Sequence, residues 1–544
     1  MLRILSICLG ALLLLVLPAT AQEANPDETA LTGRWWNDRI FYEIFVRSFY
    51  DSDGDGTGDL RGIIEKLDYL NDGDPATTDD LGITGIWLMP IMDSLSYHSY
   101  DVIDYYSINP DYGTMDDFRA LLDAAHERGI AVIIDIVLNH TSNYHPWFQA
   151  SAAGDPDYAD WYIWEDTLPE WRGPDNQTVW HQLGDRYYYG LFVDSMPDLN
   201  LTNPDVTQAL YDISAYWLLD VGVDGFRMDA IKHLIEDGEE QENTTPTHAW
   251  LADYNAYIDS IAPDALTVGE VWTSTFAAAN YVEDGEVDLV FSFDLASAMM
   301  ESATRESNQA VASIQARDWG QYPPNQYSAF LTNHDQNRVF NVVGENINRA
   351  RAAAALLLTG PGVPFIYYGE EIGMSGVKPD ERIRTPMQWD DTRLTAGFTT
   401  LPRAWQPLSE GNEDGVNVED QSGDPGSLLS SYRELIRLRA SEPTLRHGDY
   451  AAVDCNARPV YAFLRQTETD LLMILINLGD EEEVLDCEMR SSALSGAYDA
   501  QVIFGDAGEA APLTGLEDDG GFSGYQPFAT VPPYSTTVLR LTAR

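Results

Sequence analysis

Eight short apolar runs, separated by helix-length stretches, constrain this chain more than any other feature of its sequence. They are "IFYEIFV" (40–46), "ITGIWLM" (83–89), "IAVIIDIVL" (130–138), "VDGFRMD" (223–229), "ALTVGEV" (265–271), "VDLVFSF" (287–293), "YSAFLTN" (327–333) and "VPFIYYG" (363–369). Between them, "MDDFRALLDAAHERG" (115–129) has acids at its start and Arg-Gly at its end, as helix termini favour. "NPDVTQALYDISAYWLLDVG" opens on Asn203 and Pro204 and stops at Gly222, predicting a helix over 203–222. Buried strands alternating with helices make an α/β protein with a parallel sheet. Eight such units predict a closed (β/α)8 barrel. An open doubly wound sheet competes, because periodicity does not show closure.

Two departures from the alternation define further domains. About sixty-five residues separate the third run from the helix near Asp205, and they are rich in Trp, Tyr, Gly and Asp. A structureless loop of that length is improbable in a compact domain, so residues 140–200 read as a small inserted domain. After the helix "SLLSSYRELIRLRA", the runs "YAFLRQ", "LLMILINLG", "AQVIFG" and "STTVLRLT" read as antiparallel strands with turns. A C-terminal β domain is therefore expected over 445–544, and the barrel over 34–139 and 201–444.

The first residues read as a leader. Arg3 precedes the apolar run "ILSICLGALLLLVL", and Ala19 and Ala21 occupy small-residue positions of a cleavage site. The run is short for a membrane span. A signal peptide over 1–21 and a secreted or periplasmic location are expected, with no membrane association of the mature chain. That leaves Cys455 and Cys487, which export permits to pair; two buried free thiols are the alternative. The formal net charge is −57, from 88 acidic against 31 basic residues, and it is spread along the chain. Such a surface repels nucleic acid and anionic membranes, and fits solvation at high salt. A monomer is expected.

In a parallel barrel the chemistry gathers at the C-terminal ends of the strands. The second run is followed by "SYHSYD", with His98, Tyr100 and Asp101. The third ends in "DIVLNH", with Asp135, Asn139 and His140; the fourth offers Arg227 and Asp229; the fifth offers Glu270; the seventh ends in "FLTNHD", with His334 and Asp335. Any one of these acids alone would more often cap a helix or form a surface pair. Acids arriving on several strands in one register point instead to a catalytic mouth.

The set "DIVLNH", "GFRMDAIKH", "GEVW" and "FLTNHD" resembles the α-amylase family, glycoside hydrolase family 13. "GITGIWLMP", "MPDLN" (196–200) and "GVPFIYYGEE" (362–371) support the resemblance, which runs from about Arg39 to Trp389. It implies a catalytic barrel, an inserted domain after the third strand and a C-terminal β-sandwich. It implies Asp229 as nucleophile, Glu270 as general acid/base and Asp335 as transition-state stabiliser. Arg227 is expected to hold Asp229 ionised, and neighbouring carboxylate and apolar groups to keep Glu270 protonated. His98, His140 and His334 are expected to donate hydrogen bonds to the sugar at the cleavage point, and Tyr100 to offer it a flat face. Lys232 and His233 are expected on the acceptor side. Asp135, deep in its strand, reads as structural.

"DSDGDGTGDL" (51–60) follows the first half of an EF-hand loop, with Asp51, Asp53, Asp55 and Asp59 and Gly56 at the bend. Gly62 replaces the twelfth-position Glu and a strand precedes the loop, so it is not an EF-hand. The resemblance implies a structural Ca2+ held by Asp51, Asp53, Asp55, Asp59 and the Thr57 carbonyl. A solvated acidic turn is the bland alternative. A further calcium between barrel and inserted domain would use Asn139 and the His233 carbonyl.

"MPDLN" lies between the oligo-1,6-glucosidase and neopullulanase patterns, and "RTPMQWDDT" (384–392) resembles the former. "DAIKH" and "SYHSYD" lean towards α-amylases. The implied activity is hydrolysis of α-1,4-glucosidic bonds in starch or maltooligosaccharides. The alternative is an α-glucosidase or glucanotransferase, including trehalose-forming enzymes. A non-catalytic glucan-binding homologue is disfavoured, because all three acids are present.

Overall fold

A computed structural model describes residues 34–544; the leader expected over 1–21 lies outside the described residues. All eight apolar runs contain strands: β1 (Phe41–Ile44), β2 (Gly85–Leu88), β3 (Ala131–Ile136), β4 (Gly225–Met228), β5 (Leu266–Gly269), β6 (Leu289–Phe291), β7 (Tyr327–Phe330) and β8 (Val363–Tyr367). Neighbours run parallel, and β8 pairs back to β1 with Phe365 opposite Phe41. The sheet therefore closes, and the open-sheet alternative is excluded.

Side chains alternate between the barrel interior and its helical coat. Phe41, Trp87, Ile133, Leu266, Val268, Leu289, Phe291, Phe330, Val363 and Phe365 form one apolar cluster. Their intervening neighbours, such as Tyr42, Ile86, Ile134, Phe226 and Val290, join the larger core under the helices. By the same parity Glu43, Asp135 and Arg227 point inward, one step beyond Phe41, Ile133 and Gly225. Register sets Asp135 opposite Arg227 and Glu43 opposite Trp87. Aromatic and aliphatic groups thus fill the barrel, and its uppermost layer carries charge.

The helix Met115–Glu127 starts at a capping box in which Thr114 and Asp117 exchange hydrogen bonds. The stretch predicted as one helix over 203–222 divides. An α-helix covers Pro204–Ala215, and a π-helical turn covers Tyr216–Val221 before Gly222 turns left-handed at φ 93°. The wider turn accompanies the burial of Trp217, whose indole N–H donates to the Tyr105 carbonyl at 2.9 Å.

Between β3 and Pro204 the chain builds a helix, Pro146–Ala153, and a three-stranded antiparallel sheet of Trp164–Glu165, Arg186–Tyr189 and Trp180–Leu183. Phe148, Tyr162, Trp164 and Tyr188 pack together within it. After the barrel, five antiparallel strands form a sheet in the order Asp449–Val453, Val460–Gln466, Leu471–Asn477, Thr536–Ala543, Tyr498–Phe504. One face (Tyr461, Phe463, Leu472, Ile474, Ile476) joins the barrel core; the other (Val460, Ala462, Met473, Leu475, Leu539) packs under a two-stranded ribbon, Cys487–Met489 with Phe522–Tyr525. Cys455 and Cys487 are joined by a disulfide, which resolves the choice left open by the sequence. No helix among the described residues is long and apolar enough to cross a membrane.

Candidate active site

The charged upper layer of the barrel is organised by one guanidinium. Arg227 is 1% exposed, and its Nη1 donates to Asp229 Oδ1 at 2.7 Å and to Asp135 Oδ1 at 2.9 Å. Its Nη2 donates to Glu270 Oε2 at 2.6 Å. Two nitrogens of one rigid fork therefore fix Asp229 and Glu270 side by side. The other oxygen of Asp135 accepts from Tyr100 Oη at 3.2 Å and from the Trp87 indole at 3.3 Å. Asp135 thus anchors Arg227, as its depth in β3 implies.

Local backbone geometry aims both acids. Asp229 follows directly on β4, with its N–H bonded to Ile136 O. Ala230 then adopts φ 48°, ψ 35°, a left-handed conformation that a side-chain-bearing residue takes at some energetic cost. The sharp turn presents the Ala230 N–H to Glu270 Oε2 at 3.0 Å.

Asp335 is held from another side. Arg384 Nη2 donates to its Oδ1 at 2.8 Å, and His334 Nε2 lies 3.2 Å from its Oδ2. The His334 ring is clamped: Nδ1 meets Glu43 Oε1 at 2.5 Å and Nε2 meets Tyr100 Oη at 2.7 Å. Its faces are taken as well, by Tyr100 stacked at 5.7 Å and by the edge of Trp87.

Asp229, Glu270 and Asp335 all line one cavity of about 630 Å3. His98, Tyr100, His140, Lys232 and His233 line it too, so the structure gathers eight of the ten expected catalytic and substrate-binding residues at one mouth. The other two, Arg227 and His334, lie beneath its floor, each 1% exposed. His334 was expected to reach sugar hydroxyls; instead both its ring nitrogens are already engaged by Glu43, Tyr100 and Asp335. His140 presents a buried Nε2 with no partner. Lys232 Nζ bonds Glu242 at 2.7 Å and the Trp272 carbonyl at 3.0 Å, and His233 Nδ1 lies 2.8 Å from the Gln241 carbonyl.

The electrostatics differ from expectation at Asp229. Burial raises its pKa, and this outweighs the opposing pull of Arg227, whose charge Asp135 and Glu270 share. Burial likewise raises Glu270; Arg227 opposes, and the charges of Asp229 and Asp335 add to the rise. Asp335 behaves oppositely. Burial would raise it, but His334 and Arg384 together pull it well below the usual carboxylate range. Burial disfavours the His334 cation, yet Asp335 and Glu43 overcome this and push it up to about 9. His140 is lowered to about 4 by burial and stays neutral. The mouth thus holds one firmly ionised acid beside a pair of carboxyls that retain protons to higher pH than free ones.

Sequence reasoning missed Glu43, Arg384, Asp380 and Phe192, and took Trp272 only as an apolar neighbour of Glu270. Glu43 had a usable signal, being the one acid in an apolar strand, and Arg384 opens the quoted "RTPMQWDDT". Phe192 comes from the inserted domain and lines the cavity only through the folded path of that domain.

In the acidic loop, carboxylate oxygens of Asp51, Asp53 and Asp59 lie within 4.8 Å of one another. Gly54 (φ 80°) and Gly56 (φ 100°) make the bend. Asp55 stays outside the cluster and accepts from the Thr57 N–H at 2.8 Å. Three converging carboxylates suit a hard divalent cation, and they fit calcium. At the boundary with the inserted domain, Asn139 Nδ2 donates to Asp198 Oδ2 at 3.0 Å while Asn139 Oδ1 is buried without a partner. Asp198 is buried and raised well above its ordinary value by burial and by Glu236, which burial pushes up to about 7. The unpartnered Asn139 oxygen is the one observation in keeping with the further calcium expected there, and Asp198 is a neighbouring acid that the sequence did not single out.

Known proteins resemble this chain over most of its length. The α-amylase catalytic-domain model matches residues 43–448. Alpha-amylase 3 of Dictyoglomus thermophilum is 39% identical over 459 residues, covering 83% of this chain and 87% of that protein. Trehalose synthase/amylase TreS of Mycobacterium tuberculosis is 34% identical over 496 residues, covering 80% of each. The crystal structure of an α-amylase from H. orenii superposes with a TM-score of 0.78 at 40% identity, covering 92% of this chain and 99% of that one. The closed barrel, the acids at its mouth and these matches agree: the chain belongs to the α-amylase family of glycoside hydrolases.

Proposed function

We propose that the protein is an exported, retaining glycoside hydrolase that cleaves α-1,4-glucosidic bonds in starch or maltooligosaccharides. The observation that carries the reading is the single Arg227 fork holding Asp229 and Glu270 at one cavity, with Asp335 lining the same cavity. Retention needs two carboxyl groups about 5–5.5 Å apart, close enough for direct attack on the sugar. Two acids bonded to one guanidinium favour that arrangement over a pair spread to admit a water between them.

In the first step an Asp229 oxygen attacks the anomeric carbon as Glu270 gives its proton to the departing glycosidic oxygen. A covalent glycosyl ester forms and the free chain end leaves. In the second step Glu270 takes a proton from water, the water oxygen attacks the same carbon, and Asp229 departs as carboxylate. The pair's raised affinity for protons suits Glu270 to begin as an acid. On binding, sugar hydroxyls can compete for Glu270, leaving more of the charge of Arg227 to Asp229. Asp335, ionised throughout, binds sugar hydroxyls and stabilises positive charge developing on the ring. His98 and neutral His140 bond hydroxyls, Tyr100 supports the ring, and Lys232 and His233 meet the acceptor side.

Calcium at Asp51, Asp53 and Asp59 would relieve the repulsion of their carboxylates and brace the loop after β1. The leader-like segment and the acidic surface support a secreted or periplasmic site of action. A glucosidase or glucanotransferase remains the second reading, favoured by the similarity to a trehalose synthase/amylase. The anomeric configuration of the first products from maltooligosaccharides, followed by NMR, tests the proposal. Initial α-anomers are expected; initial β-anomers would overturn retention, and products longer than the substrate would favour transfer.

A further inference from the structure

The strand Val460–Gln466 turns a cation into the seam between the C-terminal domain and the barrel. Tyr461, Phe463 and Arg465 share its inward face, and Arg465 is 0% exposed. Its Nε donates to the Gly448 carbonyl at 3.0 Å, while Nη1 and Nη2 are buried with no partner. A second buried cation, Arg439, stands near it and donates to the carbonyls of Leu358, Gly360 and Gly362. All the partners of the two guanidinia are carbonyls; among the described residues no carboxylate bonds to either.

The charge there is uncompensated. Burial lowers the pKa of Arg465 to about 10 and that of Arg439 to about 9, the latter helped by the charge of Arg465. Asp449 bears on Arg465 but is exposed, one residue before the inward-facing Tyr450 and so on the opposite face of its strand. Asp38 bears on Arg439 but is already bonded to Arg446 at 2.7 Å and His447 at 2.6 Å. A buried charge without a counter-charge is costly, and this chain has 88 acids against 31 bases from which to supply one.

The other spare groups around Arg465 are donors. Tyr450 is its cross-strand partner, Tyr461 lies one inward step beyond Phe463, and Tyr327 approaches from the barrel; all three are buried. Tyr327 Oη accepts from Gln315 Nε2 at 2.8 Å, which leaves its own O–H to give. Tyr450 and Tyr461 share one hydrogen bond at 3.0 Å, which leaves one O–H to give. Buried N–H and O–H groups rarely stay unused. A water molecule would bring two protons that need acceptors; a halide brings the missing charge and none.

We propose that Arg465, the Tyr327 hydroxyl and the Tyr450–Tyr461 pair hold one small monovalent anion, of the size and charge of chloride. Tyr327 opens β7 in the barrel and the other three belong to the C-terminal sheet, so the anion ties the two domains together. Tyr327 starts its strand whereas Asp335 follows the strand's far end, which puts this site at the end of the barrel opposite the catalytic mouth. Its role is therefore in stability and not in the reaction.

The test follows thermal unfolding of the full-length protein as chloride replaces methanesulfonate, a bulkier monovalent anion, at fixed ionic strength. A saturable rise in Tm of about 2 °C is expected with chloride. Arg465→Met should abolish the response. Tyr327→Phe removes one donor and little volume, so it decides the matter should R465M fail to fold. It should raise the chloride midpoint by about tenfold, the scale of one hydrogen bond to a charged group. Crystals grown in bromide should show an anomalous peak between Arg465 and Tyr327. A water or nothing at that position overturns the inference, as does a bromide peak only elsewhere. A Tm that does not distinguish chloride from methanesulfonate, or a chloride midpoint unchanged in Y327F, overturns it too.

Discussion

Arg227 and Glu270 are joined at 2.6 Å through Nη2 while Nη1 of the same guanidinium takes Asp229 at 2.7 Å. One buried cation therefore sets the spacing of the two acids and is itself fixed by Asp135.

Replacing Arg227 should damage fold and chemistry together. R227A leaves Asp135, Asp229 and Glu270 buried without their shared cation, and breaking such a site costs about 3–5 kcal/mol. R227K keeps the charge but not the planar fork, so the protein should remain folded while kcat falls by about a hundredfold or more. Denaturant unfolding and steady-state kinetics on maltoheptaose separate the two effects; a fully active R227K would show that the fork does not position the acids.

Glu270→Gln removes the exchangeable proton but little volume. General acid catalysis contributes about 10²–10⁴-fold, and a loss of that size in kcat is expected with the unfolding midpoint little changed. A substrate whose leaving group needs no protonation should recover the first step in E270Q. Equal loss on both kinds of substrate would assign the proton to another residue.

His334 gives the protein a pH dependence of known sign. Its pKa is raised from 6.5 to about 9, because Asp335 and Glu43 outweigh the burial that disfavours its charge. A raised histidine binds its proton more tightly folded than unfolded, so its stabilisation is complete below pH 6.5 and is lost as pH rises through about 9. Thermal unfolding midpoints should therefore fall across that window, and activity with them as Asp335 keeps Arg384 but loses the His334 cation. H334Q should melt lower at neutral pH and lack the decline; a wild-type profile in H334Q would place the titration elsewhere.

Removal of calcium should lower stability without abolishing catalysis. A ligand at a hundred times its Kd stabilises by about 2.7 kcal/mol, so in a chain of this size chelation should lower Tm by about 2–3 °C and added Ca2+ should restore it. Asp53 is the exposed member of the carboxylate cluster, and D53N should melt near the chelated protein and respond weakly to calcium. Isothermal calorimetry on the natural protein checks the same point; absence of calcium-binding heat would reduce the loop to a solvated turn.

Much of this molecule was legible before any coordinate. The periodicity of eight apolar runs located every barrel strand, because burial on both sides of a parallel sheet leaves a continuous apolar signal. Strand-end residues located the three acids, since a parallel barrel brings all its C-terminal strand ends to one face. That rule offers Asp101 and Asp135 as well, and it is the resemblance of the motifs that singles out Asp229, Glu270 and Asp335. Less local features escaped. His334 follows β7 as a hydroxyl-binding histidine would, and only the packing of Glu43 from β1 and Tyr100 from the β2 loop clamps its ring. Asp198 looks like an ordinary acid in "MPDLN" until the inserted domain folds back onto Asn139.

The sequence by itself determined the strands, their order along the chain and the chemical character of the mouth, because those follow from periods of a few residues and from which residue ends each strand. Tertiary structure alone decided closure of the sheet, the sharing of one arginine among three carboxylates, and the balance by which burial overrides that arginine at Asp229. Each of these depends on distances between residues far apart in the chain, and on how completely water is removed from around them, which no local pattern records.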